Sequence, residues 1–199
     1  MHGELDDDDR RFLWRAVELS RSYRADHRRW PFGAILAAGG EIIGQGFNQV
    51  EELHDPTAHA EVMALRAAGR ALRRHAFEDS VLYSSGEPCP MCLAACYWAS
   101  VPRVVFAATS RDLADCGFQD LAIYRQLELP AGQRSMRRDS AQEELRQAAV
   151  TAVRERAKSP RRLGSPPPLR RLRTRLARDP AVTAAIRCAN DTFVRVRAG

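Results

Sequence analysis

At 199 residues, with 45% hydrophobic and 28% charged side chains, the chain has the size and make-up of one folded domain plus an appendage, which excludes a disordered or fibrous protein. No apolar run approaches the roughly 20 residues that span a bilayer, and Met1 to Arg10 is acidic where a secretory or organellar leader is basic, so no membrane contact and a cytoplasmic location are expected. The net charge of +6 is unevenly spread, since residues 1–133 carry 14 basic and 19 acidic side chains and residues 134–199 carry 17 and 6.

Residues 9–27 predict an amphipathic helix, with Phe12, Leu13, Ala16, Val17 and Leu19 largely on one side and the aspartates before it placed to favour the N-terminal dipole. Phe32 to Ala38 and Glu41 to Asn48, joined by Gly39-Gly40, predict a β-hairpin. Pro56 to His75 carries Ala58, Val62, Leu65, Ala68 and Leu72 at helical spacing, and Ser80 to Ser84 reads as a short buried strand. Pro88-Cys89-Pro90 opens a helix to about Ser100, because a proline in the first turn forfeits no hydrogen bond. Arg103 to Ala108 predicts a strand, and about Asp120 to Leu127 and Ala141 to Lys158 predict helices. The alternation after the hairpin implies an α/β fold with a mixed sheet and helices on its faces. A catalytic domain over 1–136 and a basic tail over 137–199 follow, the tail with a Pro-rich linker at 159–168.

Five cysteines, an odd count with three between 89 and 96, suit metal chemistry in a reducing compartment better than a disulfide framework. His59-Ala60-Glu61 begins 30 residues before Cys89 of Pro88-Cys89-Pro90-Met91-Cys92, and H-x-E followed by P-C-x-x-C is the signature of zinc deaminases. Two thiolates and one imidazole, from Cys89, Cys92 and His59, suit one Zn²⁺ per chain and leave a fourth tetrahedral position open for water. Cys89 and Cys92 at a helix start share a side, and the positive end of that helix favours their ionised forms. His59 and Glu61 stand about 200° apart on a regular helix, so both face one ion only from the first turn, beside its open end. Glu61 is then free of the metal and carries protons from the activated water to a ring nitrogen and a leaving amine. The bland alternative is a closed structural site with Cys96, Cys116 or His54 as fourth ligand, against which the H-x-E and both prolines stand. Cys96 among alanines reads as a core residue, Cys116 and Cys188 as incidental, and His2, His27 and His75 as surface residues.

Beyond this signature, Asp55 to Val62, Leu82 to Leu93, Tyr97-Trp98-Ala99, Gly117-Phe118-Gln119-Asp120 and Ile123-Tyr124 resemble the bacterial guanine deaminases of the cytidine-deaminase superfamily over about residues 9–136. The resemblance implies a three-layer α/β/α fold, a homodimer with exchanged C-terminal segments, and conversion of the nucleobase guanine to xanthine and ammonia. It also implies Asn48 against the purine ring, Phe32 and Trp98 on the pocket walls and Asp120 near the amino group. Read from the residues alone, Asn48 serves equally as a turn residue, Phe32 and Trp98 as core, and Asp120 as a helix cap. Two departures stand out: Gly86 replaces a cysteine frequent in that family before Glu-Pro-Cys, and about 60 arginine-rich residues replace a short aromatic tail, leaving Phe193 as candidate lid.

A tRNA adenosine deaminase shares the metal signature and would hold RNA through a basic surface. The core's acidity speaks against nucleic acid, and the arginine tail is the part that suits it. Guanosine or cytosine deamination is a further reading of the same site, and an inactive nucleic-acid-binding protein a different one, opposed by intact Glu61.

Overall fold

The computed structural model describes residues 4–158; the expected linker, the arginine-rich segment beyond it, Cys188 and Phe193 lie outside the described residues, as does His2. Helix α1 spans Asp7–Ser20 and begins in a capping box, in which the Asp6 carboxylate accepts from the Asp9 N–H at 2.7 Å while Asp9 reaches back. Its inner face is Phe12, Ala16 and Leu19, spaced three or four apart. The helix stops at Ser20, short of the expected His27, and continues as a 3₁₀ turn over Arg21–Arg24. Ser20 donates its hydroxyl to the Val17 carbonyl at 2.7 Å, a local bond that competes with the helical ladder once the apolar face has ended.

Strands β1 (Gly33–Ala38) and β2 (Glu41–Phe47) form the expected hairpin, with Gly39 and Gly40 at φ 58° and 80°, the pair of positive angles that a two-residue turn of this hand requires. Strand β3 (Ser80–Gly86) pairs antiparallel with β1, and β4 (Arg103–Ala108) pairs parallel with β3, giving the order β2-β1-β3-β4. The sheet is therefore mixed. Helix α3 (Ala60–Leu72) and helix α4 (Pro90–Trp98) cover one face, where Leu65, Ala68, Cys96 and Ala99 meet Leu36, Ile43 and Leu82. Helix α1 covers the other, where its inner face meets Ile35, Ala37, Tyr83 and Val105. This is the expected three-layer α/β/α architecture.

Two glycines bring α3 onto the sheet. A Cβ at Gly46 would stand 2.4 Å from the Ala60 carbonyl and 2.6 Å from the Ala64 N, and one at Gly44 would stand 2.4 Å from the Ala64 carbonyl. On the opposite face, Asp9 is almost fully buried and accepts from the Tyr83 hydroxyl at 2.8 Å and from both terminal nitrogens of Arg103 at 2.9 and 2.6 Å. That clamp joins the first helix to β3 and β4.

Short helices α2 (Val50–Leu53) and α5 (Ser110–Asp115) were not anticipated, although Thr109 and Asp112 form a capping box whose pattern is legible. Helix α3 begins four residues later than expected because Asp55 accepts from the Thr57 N–H at 2.8 Å and folds 55–57 into a turn. Helix α6 covers Asp120–Glu128, and helix α7 covers Glu143–Lys158 with no buried residue.

Candidate active site

The start of β1, the end of β2, the end of β3 and the first residues of α3 and α4 meet at one end of the sheet. His59 is the N-cap of α3 and Cys89 the N-cap of α4, both with extended backbone (ψ 155° and 167°), and neither side chain makes a capping bond. Helix N-caps favour Ser, Thr, Asp or Asn. Here both positions turn a metal ligand outward instead, toward each other, with Cys89 Sγ 3.6 Å from His59 Nδ1.

Cys92, fully buried in the first turn of α4, completes a group whose ligand atoms all lie within 4.8 Å of one another. Ligands about 2.0–2.3 Å from a tetrahedral zinc stand about 3.5–3.8 Å apart, so the donor set and its spacing fit that ion. The two thiols divide one proton unequally. Cys89 is pulled down to about 4 by the Cys92 thiol, helped by His59 and the Cys92 N–H, while Cys92 is pushed far up by the same partner and by burial. His59 is raised chiefly by its bond to Cys89. A dication ionises both thiols and takes the imidazole lone pair.

Glu61 lies one residue into α3 beyond Ala60, buried, and its Oε1 accepts from the Ser84 hydroxyl of β3 at 3.1 Å. Burial raises its pKa above the ordinary carboxylate range. The first-turn placement that the His-x-Glu spacing demanded is thus the one observed.

Above these groups opens a pocket of about 320 Å³, with Phe32, Asn48 and Asp120 on its walls. That volume is at the low end of small-molecule sites, about 300–1,000 Å³. Asn48 is buried, and its Oδ1 accepts from the Val50 N–H at 3.2 Å, leaving its amide N–H groups for a ligand. Asp120 heads α6, and burial, then the Cys89 thiolate, raises its pKa. Trp98 is corrected: it stands 77% exposed at the far end of α4, beside a groove formed by Val62, Leu65, Phe77 and Ala99. Nine residues of helix place it about 13 Å along the axis from the end that carries Cys89. It does not line this pocket.

The sequence reading missed Trp30, Phe118 and Glu87 on the pocket wall. Phe118 packs edge-on against Phe32 and Trp30, ring centroids 4.9 and 5.7 Å apart, and Glu87 accepts from the Ser110 N–H at 2.7 Å. Phe118 lay inside the segment already singled out, whereas Trp30 precedes β1 with no periodic signal. Cys116 also lines the pocket, exposed, Cys96 is buried in the core, and His27 and His75 are on the surface.

The sequence model of the cytidine and deoxycytidylate deaminase zinc-binding region matches residues 6–108. The chain is 45% identical over 125 residues to guanine deaminase from Bacillus subtilis, covering 63% of this chain and 80% of that protein. An X-ray structure of that Bacillus subtilis enzyme superposes with a TM-score of 0.71 at 38% identity, covering 78% of this chain and 98% of that one. A tRNA-specific adenosine deaminase from Buchnera aphidicola is 40% identical over 101 residues, 50% of this chain and 67% of that protein. With its metal ligands and buried glutamate at two adjoining helix starts, the chain belongs to the cytidine and deoxycytidylate deaminase family of zinc-dependent aminohydrolases.

Proposed function

We propose that the enzyme hydrolyses guanine to xanthine and ammonia, with His59, Cys89 and Cys92 as zinc ligands and Glu61 as the proton carrier. The observation that carries this reading is Asp120, a carboxylate on the wall of a pocket sized for a free base and close enough to His59 and Cys89 for each to act on it. An ionised carboxylate only accepts hydrogen bonds. Guanine presents two donors side by side where its amino group departs, the ring N1–H and the amino N–H. Adenine and cytosine present an unprotonated ring nitrogen beside theirs, which a carboxylate repels. Asn48 donates to an acceptor on the remaining ring edge, and Phe32, joined by Phe118, encloses the flat faces.

Zinc bound by the three ligands supplies a Lewis acid and water activated near neutral pH. With the ion held by His59, Cys89 and Cys92, Glu61 would accept a proton from the attacking water as its oxygen bonds to C2 of the base, and would deliver it to ring N3. It then passes the second proton to the departing nitrogen as the C2–N bond breaks, and ammonia leaves. A carboxyl raised toward neutrality by burial is suited to both halves of this transfer.

A tRNA adenosine deaminase is the second reading, favoured by the Buchnera relative. A homodimer is supported by the exposed Tyr97 and Trp98 (74% and 77%) beside the apolar groove. Among the described residues no helix is long and apolar enough to cross a membrane, which fits a cytoplasmic enzyme. The division into a catalytic body over 1–136 and a basic tail over 137–199 is part of the same proposal. The test is ammonia release and ultraviolet conversion of guanine, guanosine, adenine, cytosine and an anticodon stem-loop RNA by the zinc protein. Guanine is expected to be turned over fastest, and Glu61→Ala to abolish turnover while zinc content is kept. Preference for the RNA, or zinc without deamination of any of the five, overturns the reading.

A further inference from the structure

The geometry points to Tyr124 as the residue that positions Asp120 over the metal loop, and hence as a determinant of substrate selection that never touches the base. This inference rests on the proposed role of Asp120. Helix α6 carries Asp120 in its first turn, yet no residue of α6 is buried and its N-cap, Gln119, makes no side-chain capping bond. An element so held does not fix a carboxylate by its own packing.

What anchors α6 to the α/β body is Tyr124, whose hydroxyl donates to the Pro88 carbonyl at 2.7 Å. Pro88 precedes the ligand Cys89, so the bond joins α6 to the segment that carries the metal. Tyr124 and Asp120 are four residues apart and share one face of the helix. Glu87, Cys89 and Asp120 all act on Tyr124 electrostatically, which sets its ring among the groups of the site. Burial lifts its hydroxyl to about 12, so it remains a neutral donor throughout the range in which the enzyme works. The edge-on contacts of Phe118 with Phe32 and Trp30 hold the chain two residues before α6, and Tyr124 holds its second turn. Together they leave Asp120 one arrangement relative to Cys89 and His59.

Tyr124→Phe removes the donor and keeps the ring. In the zinc-loaded protein it is expected to raise KM for guanine about tenfold with kcat changed less than threefold, and to accelerate amide hydrogen exchange over 119–128. Adding it to Asp120→Asn should cost less than a further twofold in kcat/KM, since a carboxylate already removed cannot be misplaced. A Tyr124→Phe variant with unchanged KM and exchange, or one whose loss multiplies in full with that of Asp120→Asn, overturns the inference. Should the substrate panel favour another base, the guanine reading fails, and the same cycle on that base still decides whether positions 120 and 124 are coupled. The exchange measurement needs no substrate. Exchange that accelerates across the whole domain, with a fall in zinc content, would assign Tyr124 a general structural role and refute the specific one.

Discussion

The Ser84 hydroxyl reaches Glu61 from β3 at 3.1 Å, while Glu61 itself hangs from the first turn of α3, so the proposed proton carrier is tied to two elements. A hydroxyl donating to a carboxylate favours the charged form, and burial favours the neutral one. Glu61 must be ionised to accept a proton, and activity is lost as pH falls through its pKa. Ser84→Ala removes the donor that β3 offers to the charged form. The acid limb of kcat/KM should therefore move to higher pH, and kcat should fall about tenfold or more, the scale of a lost buried hydrogen bond to a charged group. An unchanged pH profile would remove Ser84 from the site. That His59, Cys89 and Cys92 gather was legible in the sequence because metal chemistry restricts residue type and spacing together, and the His-x-Glu spacing put Glu61 beside them. Trp98 was set on the pocket wall by the family resemblance alone, and the length of α4 puts it at the other end, 77% exposed.

Among the elements, the contact that matters most to the site is α3 on β2. Gly46 faces Ala60 and Ala64 so closely that any Cβ must displace the first turn of α3, which holds His59 and Glu61. Gly46→Ala is expected to destabilise the fold by about 2–3 kcal/mol, an overpacking cost, and to weaken zinc retention. Chemical denaturation and metal analysis after mild chelation check both, and retention equal to the parent protein would contradict it. The hairpin, the buried strands and the three layered helices were readable from period and turn residues, since each of those elements buries a face. Helices α2 and α5 were not, for they are short and α2 has no buried residue to impose a period. The end of α1 was overrun for a related reason, because a local Ser20 bond rather than a glycine or proline closes it.

Taken whole, the domain is tied across its sheet by Asp9, Tyr83 and Arg103. Arg103 holds the Asp9 pKa below its ordinary 3.8, so the clamp adds stability at any pH above about 4 and loses it as pH falls through the lowered value. Asp9→Ala is expected to cost about 2–3 kcal/mol at pH 7, toward the lower end for a broken buried pair because the Arg103 side chain is 46% exposed and can be rehydrated. At pH 3 the cost should be smaller. Urea unfolding at the two pH values measures the difference, and equal costs would deny the carboxylate its role.

The same clamp sets a timetable. His59 and Cys89 are 30 residues apart, but Asp9 and Arg103 are separated by 94. Synthesis runs from the N-terminal side, so among the described residues α1 emerges before the other helices, and its buried carboxylate waits for a partner 94 residues on. Until β4 emerges, Phe12, Ala16 and Leu19 lack part of the surface that shields them, and both metal-bearing helix starts have already been synthesised. The nascent protein thus holds His59, Glu61, Cys89 and Cys92 before it holds the partner that Asp9 needs, and Asp120 follows only after that clamp can close.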